Sequence, residues 1–172
     1  MTRIRGRATG MRGLLAAALL LGTAVAQADP CKLTIESDDL MQFNARELAA
    51  PPDCPQIELT LRDVGKLPTK VMGHDWVLAK ESDMAAIVNA GLAAGPAHGF
   101  VPANDPRVIA ATHLVGGGES ATVRFSTAAL VPGGRYVFFC TSPGHSAVMR
   151  GRFLFGEPGR LAQAGKPGTH PR

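Results

Sequence analysis

The chain has 172 residues, 45% of them apolar and only 19% charged, with a formal net charge of +4. That length suits one domain with a buried core, and the apolar share excludes an intrinsically disordered protein. The 20 glycines and 13 prolines exclude a coiled coil and point to short strands joined by turns.

The first 28 residues carry Arg3, Arg5, Arg7 and Arg12 and no acid, then the apolar run Leu14–Leu21, then Ala26-Gln27-Ala28. A basic start, a short apolar stretch and an A-x-A site read as a secretory signal peptide over residues 1–28. Its removal leaves 14 basic against 14 acidic side chains, so the mature chain from Asp29 is formally neutral. The high pI is then no argument for nucleic-acid binding, and no segment of the mature chain is long and apolar enough to span a membrane. The reading is an exported protein of the periplasm.

Alternating strands follow at Cys31–Ser37, Gln56–Arg62, Thr122–Phe125 and Arg150–Phe155. Arg107–Val115 is a further strand closed by three glycines, and Gly134–Cys140 is entered through the turn Val131-Pro132-Gly133-Gly134. One helix is predicted from Glu81 to about Gly95, with Ser82 as its N-cap and Gly91 or Gly95 as its end. The fold class is all-β: a Greek-key sandwich or barrel of about eight strands, antiparallel, with one helical insertion. The domain runs over residues 29–156, and residues 157–172, rich in Gly and Pro, read as a flexible tail.

Export makes the cysteines informative, because an oxidising compartment favours disulfides and three cysteines leave one thiol over. Cys31 and Cys54 are 23 residues apart, whereas Cys140 lies 86 residues beyond Cys54. The economical arrangement is a Cys31–Cys54 bridge, with Cys140 reserved for chemistry.

Cys140, His145 and Met149 form C-x4-H-x3-M on a loop between two predicted strands, with Pro143-Gly144 forcing a turn. A thiolate, an imidazole and a thioether are the donors of a soft copper site, and a second imidazole completes His₂Cys with a weak axial Met. His74, beside Trp76, is the candidate. His98 and His113 lack such company and read as solvated, and His170 lies in the tail. Singly, each residue has a plainer reading: Met149 as core filler, Cys140 as a small buried hydrophobe, His74 as a satisfied structural histidine.

Leu40–Asn44, Leu67-Pro68, Val71–His74, Trp76–Leu78, Asp83-Met84, Arg107–Ala110, Phe138–Thr141 and Pro143–Ala147 together resemble the azurins. These are small type 1 (blue) copper proteins of the cupredoxin family in bacterial periplasms. The resemblance runs in order from about Cys31 to Phe155 and implies a plastocyanin-like domain. It implies one copper ion, cycling between Cu(I) and Cu(II), with His74, Cys140 and His145 as equatorial ligands. Met149 becomes the distant axial ligand, with the Gly73 carbonyl opposite, and the Cys31–Cys54 bridge is implied as well. The function implied is single-electron transport, not enzymatic catalysis. The partners implied are periplasmic redox proteins such as c-type cytochromes or copper and haem reductases, met by a monomer through an apolar patch with Met41, Met72 and Leu67 in its rim. The alternative is a periplasmic copper carrier or store with no electron-transfer role. A thiol enzyme using Cys140 and His145 lacks a third orienting group and an oxyanion signature.

The departures are specific to this chain. Asp75 stands where azurins usually have Asn, and a carboxylate there adds negative charge that lowers the reduction potential. Asp63 stands where many have a buried titrating His, so that histidine's pH response is absent. Ser142 replaces an aromatic residue beside the site, and Ala111 a surface His found in some members.

Overall fold

The computed structural model describes Asp29 and residues 31–156. The expected signal peptide and the expected tail lie outside the described residues.

Alternation builds the first sheet. In β1 (Lys32–Asp38), β4 (Gln56–Asp63) and β7 (Ser120–Ser126), every second residue packs inward, fully buried as Ile57, Leu59 and Leu61 in β4 and Ala121 and Phe125 in β7, or partly buried as Leu33 and Val123. The short β2 (Gln42–Phe43) completes the order β2-β1-β4-β7. The second sheet contains β3 (Glu47–Ala50), β5 (Val77–Lys80), β6 (Val108–Ala111), β8 (Tyr136–Phe139) and β9 (Arg150–Phe155), in the order β3-β9-β8-β5-β6. Between the sheets Trp76 stacks on Phe138 at 6.1 Å between ring centroids, and Phe43 meets Phe138 edge-on at 5.6 Å.

The second sheet is covered on its outer side too. Val77, Ala79, Val137 and Phe139 pack against Ile87 of α1, which spans Met84–Ala94. With both faces buried, β5 and β8 are runs of apolar residues without alternation. That is why β5 carries no strand period.

Two further expectations are corrected. The sandwich is not purely antiparallel: β1 pairs with β4 and β3 with β9 in parallel, because each pair is joined by a long connection rather than a hairpin. Ser82 is not the N-cap of α1. A 3₁₀ turn at Glu81–Asp83 precedes the helix, and the Ser82 hydroxyl turns to Asp83 Oδ1 at 3.3 Å. The helix does end at Gly95, whose φ of 74° suits glycine and whose N–H bonds Gly91 O at 3.0 Å.

Strand directions place the candidate ligands. β1 and β4 run parallel and end together at Asp38 and Asp63, while β8 runs antiparallel to β5, so the end of β8 lies beside the start of β5. The loop holding His74 and the loop holding Cys140 and His145 therefore open at one end of the sandwich. At the start of β1, Cys31 is bonded to Cys54, with 5.6 Å between Cα atoms. Replacing both cysteines by alanine removes a constraint on the unfolded chain, and urea unfolding of the variant should show a loss of about 3 kcal/mol.

Candidate metal centre

His74 lies between a short helical turn at Thr69–Met72 and β5, and it is locked by its own backbone. Its N–H and C=O exchange hydrogen bonds with Val115, at 2.9 and 2.8 Å. The ring is fully buried, and its Nε2 lies 3.0 Å from the Asp38 carbonyl oxygen. Only an N–H bonds a carbonyl, so the proton resides on Nε2 and the lone pair on Nδ1. Nδ1 has no protein partner although it is buried. An unpartnered buried imidazole nitrogen is costly unless it is a ligand atom.

That lone pair has company. One donor atom each of His74, Cys140 and His145 lie within 4.8 Å of one another, and all three residues are buried. Cys140 Sγ is 3.6 Å from His145 Nδ1, and the two imidazole rings are 5.0 Å apart between centroids. Burial pushes both histidines below their ordinary pKa, so both are neutral at pH 7, and it pushes the Cys140 thiol well up, helped by the nearby Asp75. Two neutral imidazoles and a shielded, unbridged thiol are a donor set a soft metal ion fits.

The loop after β8 is folded by its backbone. The His145 N–H bonds Ser142 O at 2.9 Å, across a turn in which Gly144 has a φ of 83°. The Met149 N–H bonds His145 O at 2.7 Å, and the Cys140 N–H bonds Met149 O at 3.0 Å, closing the loop onto itself. Met149 is fully buried, in the core that also holds Cys140. His145 retains 8% exposure where His74 has none. His98 and His113 are exposed, as read from the sequence.

Three contacts were not foreseen. The Asp75 carboxylate accepts the Thr141 N–H at 2.7 Å and, very closely, the Thr141 hydroxyl, tying His74's neighbour to Cys140's. The Ser142 hydroxyl donates to the Gly73 carbonyl oxygen at 2.5 Å. The Arg46 guanidinium donates to Val148 O and Arg150 O at 2.6 and 3.2 Å, gripping the chain on both sides of Met149. The type and position of Asp75 were visible beside His74, but no local signal marks Arg46, which acts across more than 100 residues. Asp63 is buried with Oδ2 3.9 Å from His74 Nε2, and burial pushes its carboxyl up.

Over residues 29–155 the chain matches the family described as copper binding proteins, plastocyanin/azurin family. It is 43% identical to an azurin of Achromobacter denitrificans over 140 residues, covering 81% of this chain and 94% of that one. It is 42% identical to an azurin of Pseudomonas aeruginosa over 142 residues, covering 82% of this chain and 96% of that one. Among solved structures it is similar to an azurin of Methylomonas sp. strain J, with a TM-score of 0.71 and 38% identity, over 74% of this chain and 98% of that one.

Burial pushes the Asp75 carboxyl up to about 6 from an ordinary 3.8, against the pull of its bonds to Thr141. The native metal-free protein therefore keeps a proton that the unfolded chain has lost, and stability falls as pH rises between those values. Asparagine carries no charge to bury. Asp75→Asn should stabilise the metal-free protein by up to about 3 kcal/mol at pH 8, with the advantage gone near pH 3.5, measured by urea unfolding at each pH.

Proposed function

This chain belongs to the plastocyanin/azurin family of copper-binding proteins, and we propose that it carries single electrons between redox proteins of the periplasm. It is a blue copper protein of the azurin type, an electron carrier rather than an enzyme. The observation that carries the reading is the convergence of the thiol and two neutral imidazoles, with one imidazole lone pair left without a protein partner. His74, Cys140 and His145 would hold the ion, with the Met149 thioether and the Gly73 carbonyl as weaker donors. Bound copper supplies a one-electron couple.

The chain's contribution is to keep its donors still. His74 is fixed by two backbone bonds and by Asp38, and Cys140 by the carbonyl of Met149, so little has to move when the charge of the site changes. Burial excludes water from the donor atoms. His145, the less buried imidazole, is the exit towards a partner, and His74 is the inner ligand.

The loops at that end carry apolar side chains. Leu40, Met41, Leu67, Val71 and Val148 are exposed, and Met72 is half-buried. The Asp39 carboxylate accepts the N–H groups of Lys66 and Leu67 at 2.8 and 3.2 Å, joining the loop of Met41 to that of Leu67. An apolar face suits brief redox encounters with proteins such as c-type cytochromes or copper and haem reductases. The basic, apolar N-terminal 28 residues support export through a signal peptide cleaved after Ala28. A metal store works by exchange, and three buried donors on braced backbone favour retention instead.

Copper(II) added to the metal-free protein should produce intense absorption towards the red end of the visible, bleached by ascorbate and restored by an oxidant. Cys140→Ser should remove it, and colour surviving that change would refute the ligand assignment. Because the buried thiol must lose its proton to bind, uptake should release protons into unbuffered solution and strengthen with rising pH, as read by an indicator dye.

A further inference from the structure

The helix α1 covers only part of the outer face of the second sheet. The apolar cluster beneath it draws on β5, β6 and β8, through Val77, Ala79, Val108, Val137 and Phe139. The next strand, β9, pairs with β8 so that Arg150 lies opposite Phe139 and Arg152 opposite Val137. Paired residues share a face, so the outer face turns from apolar to cationic in one strand step. Gly151, between the two arginines, faces the core, where a Cβ would collide with the Phe138 ring. The step between helix and arginines is a groove of about 760 Å³, walled on one side by Met84 and Val88 of α1. It reaches Ser146 and Ala147, the two residues after His145.

The charge of this groove is not balanced from within. Arg46, at its rim, spends hydrogen bonds on the carbonyls of Val148 and Arg150, neutral acceptors that leave its charge in place. Among the described residues, no carboxylate pairs with the guanidinium of Arg46 or Arg150. Arg152 meets Glu47 at 3.6 Å in an exposed pair. Glu81, the one carboxylate lining the groove among the described residues, is already held by Arg135 at 2.8 Å. Three arginines thus gather at one groove, in a chain whose acidic and basic side chains balance from Asp29 onward.

Resting on the electron-carrier reading above, we propose that this groove receives an acidic segment of the redox partner. Its carboxylates sit on Arg150, Arg152 and Arg46, and an apolar side chain lies against Met84 and Val88. The planar fork of arginine matches a carboxylate through two parallel bonds. A simple anion would satisfy the arginines and leave the apolar wall wet, so an acidic chain with apolar side chains fits better. Seated there, the partner passes Ser146 and Ala147 and lies beside His145, the exit for the electron. The exposed loops of Met41 and Leu67 supply apolar contact without direction, whereas paired charges set orientation and speed of encounter.

The probe is a short synthetic peptide alternating glutamate and leucine, titrated into the isotopically labelled copper(I) protein without oxygen and followed by amide NMR shifts. Saturable shifts should appear at Val88, Ala147, Gly151 and Arg152, and binding should fade as salt is raised. Changing Arg150→Gln and Arg152→Gln together should weaken it about tenfold, the worth of two exposed carboxylate pairs. Ala85→Glu, which adds a carboxylate to the groove from an exposed position on α1, should weaken it too, and decides the matter if the double variant does not fold. Undiminished binding by the variants would overturn the proposal. So would equal binding of a lysine–leucine or a glutamate–serine peptide, or shifts confined to the loops of Met41 and Leu67. Saturating peptide should also slow, several-fold, the oxidation of the copper(I) protein by hexacyanoferrate(III), an anion drawn to the same arginines; copper(I) becomes copper(II) as iron(III) becomes iron(II). An unchanged rate would sever the groove from electron exchange at His145 and overturn its assignment to a redox partner. Failure of the electron-carrier reading is separable: hexacyanoferrate(III) would then leave the copper(I) protein unoxidised even without peptide.

Discussion

The site rests on one carboxylate. Asp75, fully buried, accepts both the N–H and the hydroxyl of Thr141, and so fastens the segment carrying His74 to the segment carrying Cys140. The two residues it joins lie 66 positions apart in the chain. A neutral amide in that place would make similar bonds without the burden of a buried charge. The carboxylate is held at a cost in desolvation, which the donated bonds only partly offset. The second tie, from Ser142 to Gly73, runs beside it. Between them they define how far apart the thiol and the inner imidazole can stray.

Much of this was legible in one dimension, and the parts that were not share a cause. Cys140, His145 and Met149 lie on one short loop, so their spacing announces them. His74 lies far from that loop in sequence, and it entered as the second imidazole that a His₂Cys set requires, with the resemblance supporting it afterwards. Strands with one dry and one wet face, such as β4 and β7, show their period. β5 does not, because α1 dries its outer face as well and removes the alternation. The parallel pairing of β1 with β4 leaves no mark in either strand, since it is a property of the connection. The grip of Arg46 on the carbonyls around Met149 is of the same kind: an arginine before a strand looks solvated until the fold brings the loop to it.

A pocket prepared for a metal is an unfavourable thing to fold without one. It buries two imidazoles stripped of their usual basicity, a thiol, an unpartnered nitrogen and two carboxyls. The offset comes from the stacked aromatic core of Trp76, Phe125, Phe138 and Phe153, and from a bridge at the opposite end of β1. That core reaches into the site itself, since Cys140 and Met149 belong to it.

That bridge also governs what happens before the fold exists. Three sulfurs on an unfolded chain permit three pairings, and two of them would consume Cys140. The loop from Cys31 to Cys54 spans 23 residues, against 86 from Cys54 to Cys140. Closing the longer loop costs about 1 kcal/mol more entropy, so random encounter favours the pair that spares the third sulfur by roughly sevenfold. Placing two cysteines close together at the start of the chain, and the third far away, makes the correct oxidation the fastest one. In the folded chain the third thiol is buried and held protonated, which shields it from oxidants.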